Sequence, residues 1–377
     1  MTSTNISRQR EFDGKCSQIR QFLLTHHLGG VALSSQALFA WATAGGDNHV
    51  VLAADHGVAT FLVTKNSTVV FANNIEIPRL SAEEFHGIDL SGVEFWSCPW
   101  HEDSRIPAEI QRRIGKQAWA SDCGLPGSQP LSDEFIGLTY ALSESEIIRY
   151  RSLGRDCSLA MEQALKKVKP GMPEWAVAGA IGQSLFTHAV RPHVILVAAD
   201  ERIYCFRHPI PTPQKVKKQL MAVLCGKRGG LIVSLTRMLY FGSKLPRDLR
   251  RKHLAVCHVD AAFNHATRPG VQIKNIFSEG LNEYKRHGFR EEWRLHHQGG
   301  PTGYQSRSFR GTATEGRVVL NRQAFAWNPS ITGTKSEDTI LAGTGGIEFL
   351  SQPSSQWPKV EVTVKGSTYQ RADICLT

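Results

Sequence analysis

Apolar positions along the chain switch between two periods. Near the N-terminus Cys16, Ile19, Phe22 and Leu23 recur at helical spacing. The short apolar runs GGVALSS, VVLAA, TFLVT and VVFAN follow, each bounded by Gly, Asp, Asn or Lys. Helices alternating with short apolar strands predict a small α/β domain over residues 1–142. Residues 121–133, SDCGLPGSQPLSD, are rich in Gly, Pro, Ser and Asp and read as a connecting loop.

A second domain, residues 143–377, opens on a capping box, Ser143-Glu144-Ser145-Glu146. Ile147, Tyr150, Cys157, Met161, Leu165 and Val168 then keep helical spacing until Lys169-Pro170-Gly171 stops the helix. Pro173 is placed to open the next helix at its first position, with Trp175, Ala178, Ile181 and Leu185 on one face. The run VILVAA predicts a strand over 194–199. LMAVLCG and LIVSLTRMLYFG, joined by Lys227-Arg228-Gly229-Gly230, predict a hairpin. Two helices, 244–266 and 271–287, are separated by Arg268-Pro269-Gly270. The Gly-rich HHQGGPTGY and the strands FAWNPS, SEDTILA, IEFL and KVEVTV follow.

Composition narrows the function classes. Of 377 residues, 41% are hydrophobic and 21% charged, the profile of a soluble two-domain protein, and no apolar run is long enough to span a bilayer. The polar N-terminus carries no secretory h-region, and the eight cysteines are scattered without a CxxC pair. A cytoplasmic location with reduced thiols is expected, without a zinc finger. The net charge of +10 attracts anions in general. The densest basic stretch, Arg247, Arg250, Arg251, Lys252 and His253, reads as the solvated side of an amphipathic helix. No aromatic interleaving or fold signature argues for nucleic acid.

Four landmarks, weak singly, are specific in their order and spacing: the His-x-x-Pro-Thr segment His208–Thr212; Thr236-Arg237 at the end of the hairpin's outgoing strand; Arg268-Pro269-Gly270 followed by His296–Gly299; and Glu337-Asp338-Thr339. Together they resemble the creatinase, prolidase and aminopeptidase P family. The resemblance implies a creatinase-type N-terminal α/β domain, a C-terminal pita-bread domain and a homodimer in which one subunit's N-terminal domain reaches over the other's pocket.

Peptidases of that family bind two metal ions through two Asp, one His and two Glu. Alignment by landmark puts those positions at Val223 or Leu224, Ser234, Gly300, Asn328 and Glu337, and no Asp or Glu occurs from Gly226 to Tyr240. One carboxylate cannot hold a metal pair, so no metal and no cofactor are expected. Creatinase itself works without metal on a C–N bond, and other relatives bind proteins without catalysis.

The expected function is a metal-independent hydrolase, or else a lyase, cleaving a C–N bond in a small polar amidine, guanidine or amino-acid amide. The alternatives are an inactive protein that holds a peptide or protein partner, and an Xaa-Pro-type metallo-aminopeptidase with an altered site. His208 matches the family's substrate-side His and is the candidate proton shuttle, on a loop stiffened by Pro209 and Pro211. His296 and His297 are rivals for a second position, because neighbours on a strand point to opposite faces. Glu337 is an acid, a base or an anchor for a cationic substrate, against an ion pair with Lys335 or Arg310. Asn328 and Ser234 keep the pocket polar, Gly300 permits close approach of backbone to ligand, and Arg307 or Arg310 can clamp a carboxylate. Cys225 beside a ligand position reads as a buried structural thiol.

Overall fold

The structure, a computed structural model, describes residues 3–377 and divides into two compact units. The first comprises residues up to Thr139 with Ser143–Glu146 and Gly229–Leu231; the second holds Tyr140–Leu142, Ile147–Arg228 and Ile232–Thr377.

In the first unit the Ser3–Thr25 helix buries Phe12, Cys16, Ile19, Phe22 and Leu23, which is the periodicity read from the sequence. A six-stranded sheet runs in the order Glu94–Cys98, Thr68–Asn73, His56–Thr64, Gly30–Ser35, Trp119–Ser121, Gln129–Pro130. Gly30–Ser35 pairs antiparallel with His56–Thr64 and parallel with Trp119–Ser121, so it is central and is buried up to its last residue. One expected strand is absent: VVLAA is a turn-rich loop, with Val50, Val51 and Leu52 exposed. Its hydrophobicity promised a strand, but the strand of that region starts at His56 and takes the available edge of Gly30–Ser35.

The capping box of Ser143–Glu146, residues that group with the first unit, forms reciprocally: Glu146 N–H donates to Ser143 Oγ at 3.2 Å and Ser143 N–H to Glu146 Oε2 at 2.6 Å. It starts the Glu144–Leu165 helix. Pro173 is the N-cap residue of Glu174–Thr187 rather than its first helical residue, and Trp175 is exposed. One four-stranded sheet has the order Cys375–Leu376, Leu231–Tyr240, Gln219–Arg228, Arg191–Ala199. A second, antiparallel throughout, has the order Gly299–Thr302, Gln323–Trp327, Asp338–Gly343, Gly346–Phe349. The Arg247–Ala266 and Ile273–Arg286 helices pack Val256, Val259, Phe263, Ile276, Phe277 and Tyr284 against Phe325, Trp327 and Ile340 of the second sheet.

His253 departs from its expected place on the solvated helix face. It is buried, with Nδ1 2.8 Å from Thr334 Oγ1 and Nε2 3.2 Å from the Ala372 carbonyl, because the C-terminal hairpin Lys359–Val364/Ser367–Ala372 covers this part of the helix.

The two sheets of the second unit meet where the site lies. Thr236 N–H donates to the Glu337 carbonyl at 3.1 Å, and the Thr339 hydroxyl accepts from Ser234 N–H at 2.8 Å while donating to the Ser234 carbonyl at 3.0 Å. Behind this junction is a buried charge network. Arg237 bonds Glu162 and Asp338, each at 3.0 Å, and Arg371 bonds Asp260 at 2.8 Å and Asp338 at 2.9 Å. Asp338 therefore points into the protein's interior while its neighbour Glu337 faces the site.

Candidate active site

His208 stands on an irregular segment after the Glu201–Cys205 helix, and the residues that follow it are pinned. Val197 N–H donates to the Pro209 carbonyl at 3.2 Å, and Arg202 Nη2 to the Ile210 carbonyl at 2.9 Å. Buried Glu174 accepts from Thr212 N–H at 2.9 Å, from the Thr212 hydroxyl at 2.7 Å and from Ala199 N–H at 2.8 Å. Glu174 escaped the sequence reading because it sits in the first turn of a helix, where an acidic residue needs no further explanation.

His296 follows a short helical turn, Glu292–Leu295, and the strand begins only at Gly299. The expected alternation of faces therefore does not apply to His296 and His297. Their rings stack at 4.4 Å, and both reach His208: His296 Nε2 lies 3.0 Å from His208 Nε2, and the His297 and His208 ring centres are 5.6 Å apart. Gln298 holds this backbone in place. Its amide donates to the His296 and Trp293 carbonyls at 2.6 and 3.1 Å, and its carbonyl accepts from the Tyr284 hydroxyl at 2.9 Å.

All three imidazoles are kept neutral. Burial, then the charge of Lys335, lowers His208 below the ordinary imidazole range and His296 far below it. Burial, then Arg307 and Lys335, brings His297 to about 3.

Glu337 lies one residue beyond the last strand pair, Trp327 with Asp338, and Asn328 lies one residue beyond it on the other strand. Both Glu337 oxygens are engaged: Oε1 accepts from Arg307 Nη2 at 2.9 Å, and Oε2 from Lys335 Nζ and the Thr236 hydroxyl, each at 2.8 Å. Burial opposes its charge, but Lys335 and Arg307 outweigh it and hold the carboxyl at about 2. Arg310 is exposed and does not enter this cluster. Lys335 is two residues before Glu337, the same-face spacing of an extended chain, which is the signal the sequence offered for the pair.

Ser234 Oγ lies 3.3 Å from Arg307 Nη1 and 3.3 Å from Cys225 Sγ. Burial, then the charge of Glu337, pushes the Cys225 thiol up, so it is no ready nucleophile. Gly299 and Gly300 are required by their own neighbours: a Cβ would stand 2.2 Å from the Ala326 carbonyl oxygen at Gly299 and 2.6 Å from the Phe309 carbonyl oxygen at Gly300. His296 Nδ1, Asn328 Oδ1 and Arg307 Nε are buried with no hydrogen-bond partner among the described residues. A groove of about 580 Å³, lined by Trp293, His296, His297 and Arg310 among others, opens beside the histidines.

Among the described residues, His208, His296 and His297 are one group whose possible metal-ligand atoms lie within 4.8 Å of one another; Glu337 belongs to no such group.

The profile of Metallopeptidase family M24 matches residues 149–349, more than half of the chain. The chain belongs to metallopeptidase family M24. Solved structures agree in fold. An Xaa-Pro dipeptidase from Bacillus anthracis is 14% identical, with a TM-score of 0.75, 97% of this chain covered and 100% of that one. A prolidase from Pyrococcus horikoshii OT3 is 16% identical, with a TM-score of 0.76 and coverage of 91% and 99%. The N-terminal domain of FACT complex subunit SPT16 from Cicer arietinum (chickpea) is 11% identical, with a TM-score of 0.68 and coverage of 93% and 97%. No curated protein matches by sequence. This M24 member has the family's two-part architecture, an N-terminal α/β domain and a C-terminal pita-bread domain. No helix among its described residues is long and apolar enough to cross a membrane.

Proposed function

We propose that this M24 protein hydrolyses a C–N bond in a small polar compound without a metal ion, with the His208–His296 pair as its proton-transfer group. The observation that carries the reading is the 3.0 Å contact between two neutral imidazoles next to a groove, with the one retained carboxylate bonded to side-chain cations. A metal pair does not fit here. Its ligand positions hold Val223 or Leu224, Ser234, Gly300 and Asn328, and both oxygens of Glu337 are bonded to Arg307, Lys335 and Thr236.

A neutral imidazole pair that shares one proton retains one free lone pair and one N–H. It can accept a proton from water as the oxygen attacks the substrate carbon, then return it to the nitrogen as the C–N bond breaks. Glu337, ionised and fully bonded, acts by holding Arg307 and Lys335 in place. Those two cations exceed its single charge, so the site favours a substrate with an anionic end, an amide of an amino acid over a cationic amidine or guanidine. His297, Asn328 and Ser234 line the site, and Arg310 on the groove takes a substrate carboxylate. A homodimer and a cytoplasmic location belong to the same reading; a monomer in sedimentation at working concentration would remove the first.

The second reading is a binding protein that uses the same fold without catalysis. It is favoured by the complete engagement of Glu337, which leaves that carboxylate no free oxygen. Screening the protein against N-acyl amino acids, amino-acid amides, amidines and guanidines, with detection of the released amine, tests the choice. Turnover that His208→Ala abolishes supports the hydrolase; binding without turnover supports the second reading.

A further inference from the structure

Away from the site just described, the Arg247–Ala266 and Ile273–Arg286 helices bring together three side chains whose chemistry the proposed reaction does not use. His258 comes from the first helix, Glu283 from the second and His287 from the cap that ends it. Their possible ligand atoms lie within 4.8 Å of one another. His287 Nε2 is 3.0 Å from Glu283 Oε1, and the His258 and His287 rings stack with centres 4.6 Å apart.

A hydrogen bond between residues four apart on one helix accounts for Glu283 and His287 alone. It does not account for a second imidazole laid against the first from the neighbouring helix, where two protonated rings would repel. Glu283 is only 5% exposed, with His287 Nε2 on one carboxylate oxygen and Arg286 Nη1 on the other. The protein thus keeps a buried carboxylate beside two imidazoles whose edges reach solvent.

We propose that His258, Glu283 and His287 form a binding site for a divalent transition metal, with Zn²⁺ as the best match. Two imidazole nitrogens and one carboxylate oxygen suit zinc, and water can complete four-fold coordination from the open side. Tetrahedral bonds of about 2.0–2.1 Å require ligand atoms closer together than the present spread, which small rotations of the half-buried rings supply. Arg286, which bonds Glu283 Oε2 at 3.2 Å, has a side chain 66% exposed and can turn to solvent. The helix pair is already fixed through Val256, Val259, Phe263, Ile276, Phe277 and Tyr284, so the ion clips together two elements that need no rearrangement to meet.

The test is calorimetric titration of chelator-treated full-length protein with Zn²⁺, together with the visible spectrum on adding Co²⁺. It uses two double variants. His208→Ala/His297→Ala removes the other histidine group, and His258→Ala/His287→Ala removes this one. The proposal expects the first to retain one tight Zn²⁺, a tetrahedral Co²⁺ spectrum and a higher Tm with zinc. It expects the second, folded by circular dichroism, to lose at least tenfold in zinc affinity relative to the first. His258→Gln, the milder change, should weaken zinc in the same direction. Failure of the His208→Ala/His297→Ala protein to bind zinc would overturn the proposal, as would unchanged binding by His258→Ala/His287→Ala or by His258→Gln. Hydrolysis by the His258→Ala/His287→Ala protein remains as in the wild type, so failure here leaves the hydrolase reading standing.

Discussion

His208 and His296, 88 residues apart in the chain, meet Nε2 to Nε2 at 3.0 Å. Neither ring carries charge at neutral pH, because burial and the nearby Lys335 lower both. Replacing His208 by Ala should therefore remove the proton relay. A fall in kcat of about 10²–10⁴-fold is expected. The His208 ring is partly desolvated but the residue as a whole still reaches solvent, so the thermal unfolding midpoint of the variant should stay close to that of the wild type. A small kinetic effect together with a large drop in Tm would assign His208 to structure instead.

Glu337 separates electrostatic support from acid–base chemistry. Glu337→Gln leaves Lys335 and Arg307 buried without their counter-charge, and removing one partner of a buried pair costs about 3–5 kcal/mol. Urea unfolding should show that loss whether or not substrate is present. A shift below about 1 kcal/mol would mean that the two cations find other partners or water.

Acid should weaken the fold before it protonates the carboxylates. The folded protein holds His253 at about 4, against 6.5 for the unfolded chain, first by burial, with Asp373 opposing. Between those values the unfolded chain binds a proton that the native state refuses, so stability present above about pH 6.5 declines as the pH falls toward 4. For His253 alone the loss is about 3 kcal/mol. His297, lowered to about 3, adds in the same direction. Tm measured from pH 7 to pH 4 should fall, and His253→Gln should flatten the curve. A Tm independent of pH in this window would contradict the buried neutral imidazole.

Glu174 lies outside the reacting cluster but ties down Thr212, four residues after His208. Glu174→Gln weakens the bonds that hold this segment and should lower kcat more than it raises KM, while His208 itself is unchanged. An equal effect on the two, or none, would remove Glu174 as a positioning residue.

The pita-bread fold was legible because its landmarks are local: a capping box, a Gly-Gly hairpin, two Pro-Gly helix stops and the Glu-Asp-Thr strand each declare themselves within a few residues. VVLAA misled because apolar composition cannot tell a strand from an exposed loop when the neighbouring edge is already taken. His253 misled because the hairpin that buries it comes more than 100 residues later. In the site, His208 was named on its own, and His296 and His297 as rivals for a second position. Their joint placement depends on where a strand begins, and the chain is still turning at His296. Lys335 was visible as a partner of Glu337. The second partner, Arg307, required three-dimensional knowledge, since it reaches the carboxylate from a segment 30 residues away.

The measurement that tests the central claim most directly is turnover of an amino-acid amide or N-acyl amino acid by chelator-treated protein, in parallel with the same protein supplied with Mn²⁺ or Zn²⁺. The account predicts amine release in the presence of chelator at the rate seen without it, abolished by His208→Ala. Activity that appears only on adding metal would contradict it and return the protein to the metal-dependent peptidases of its family.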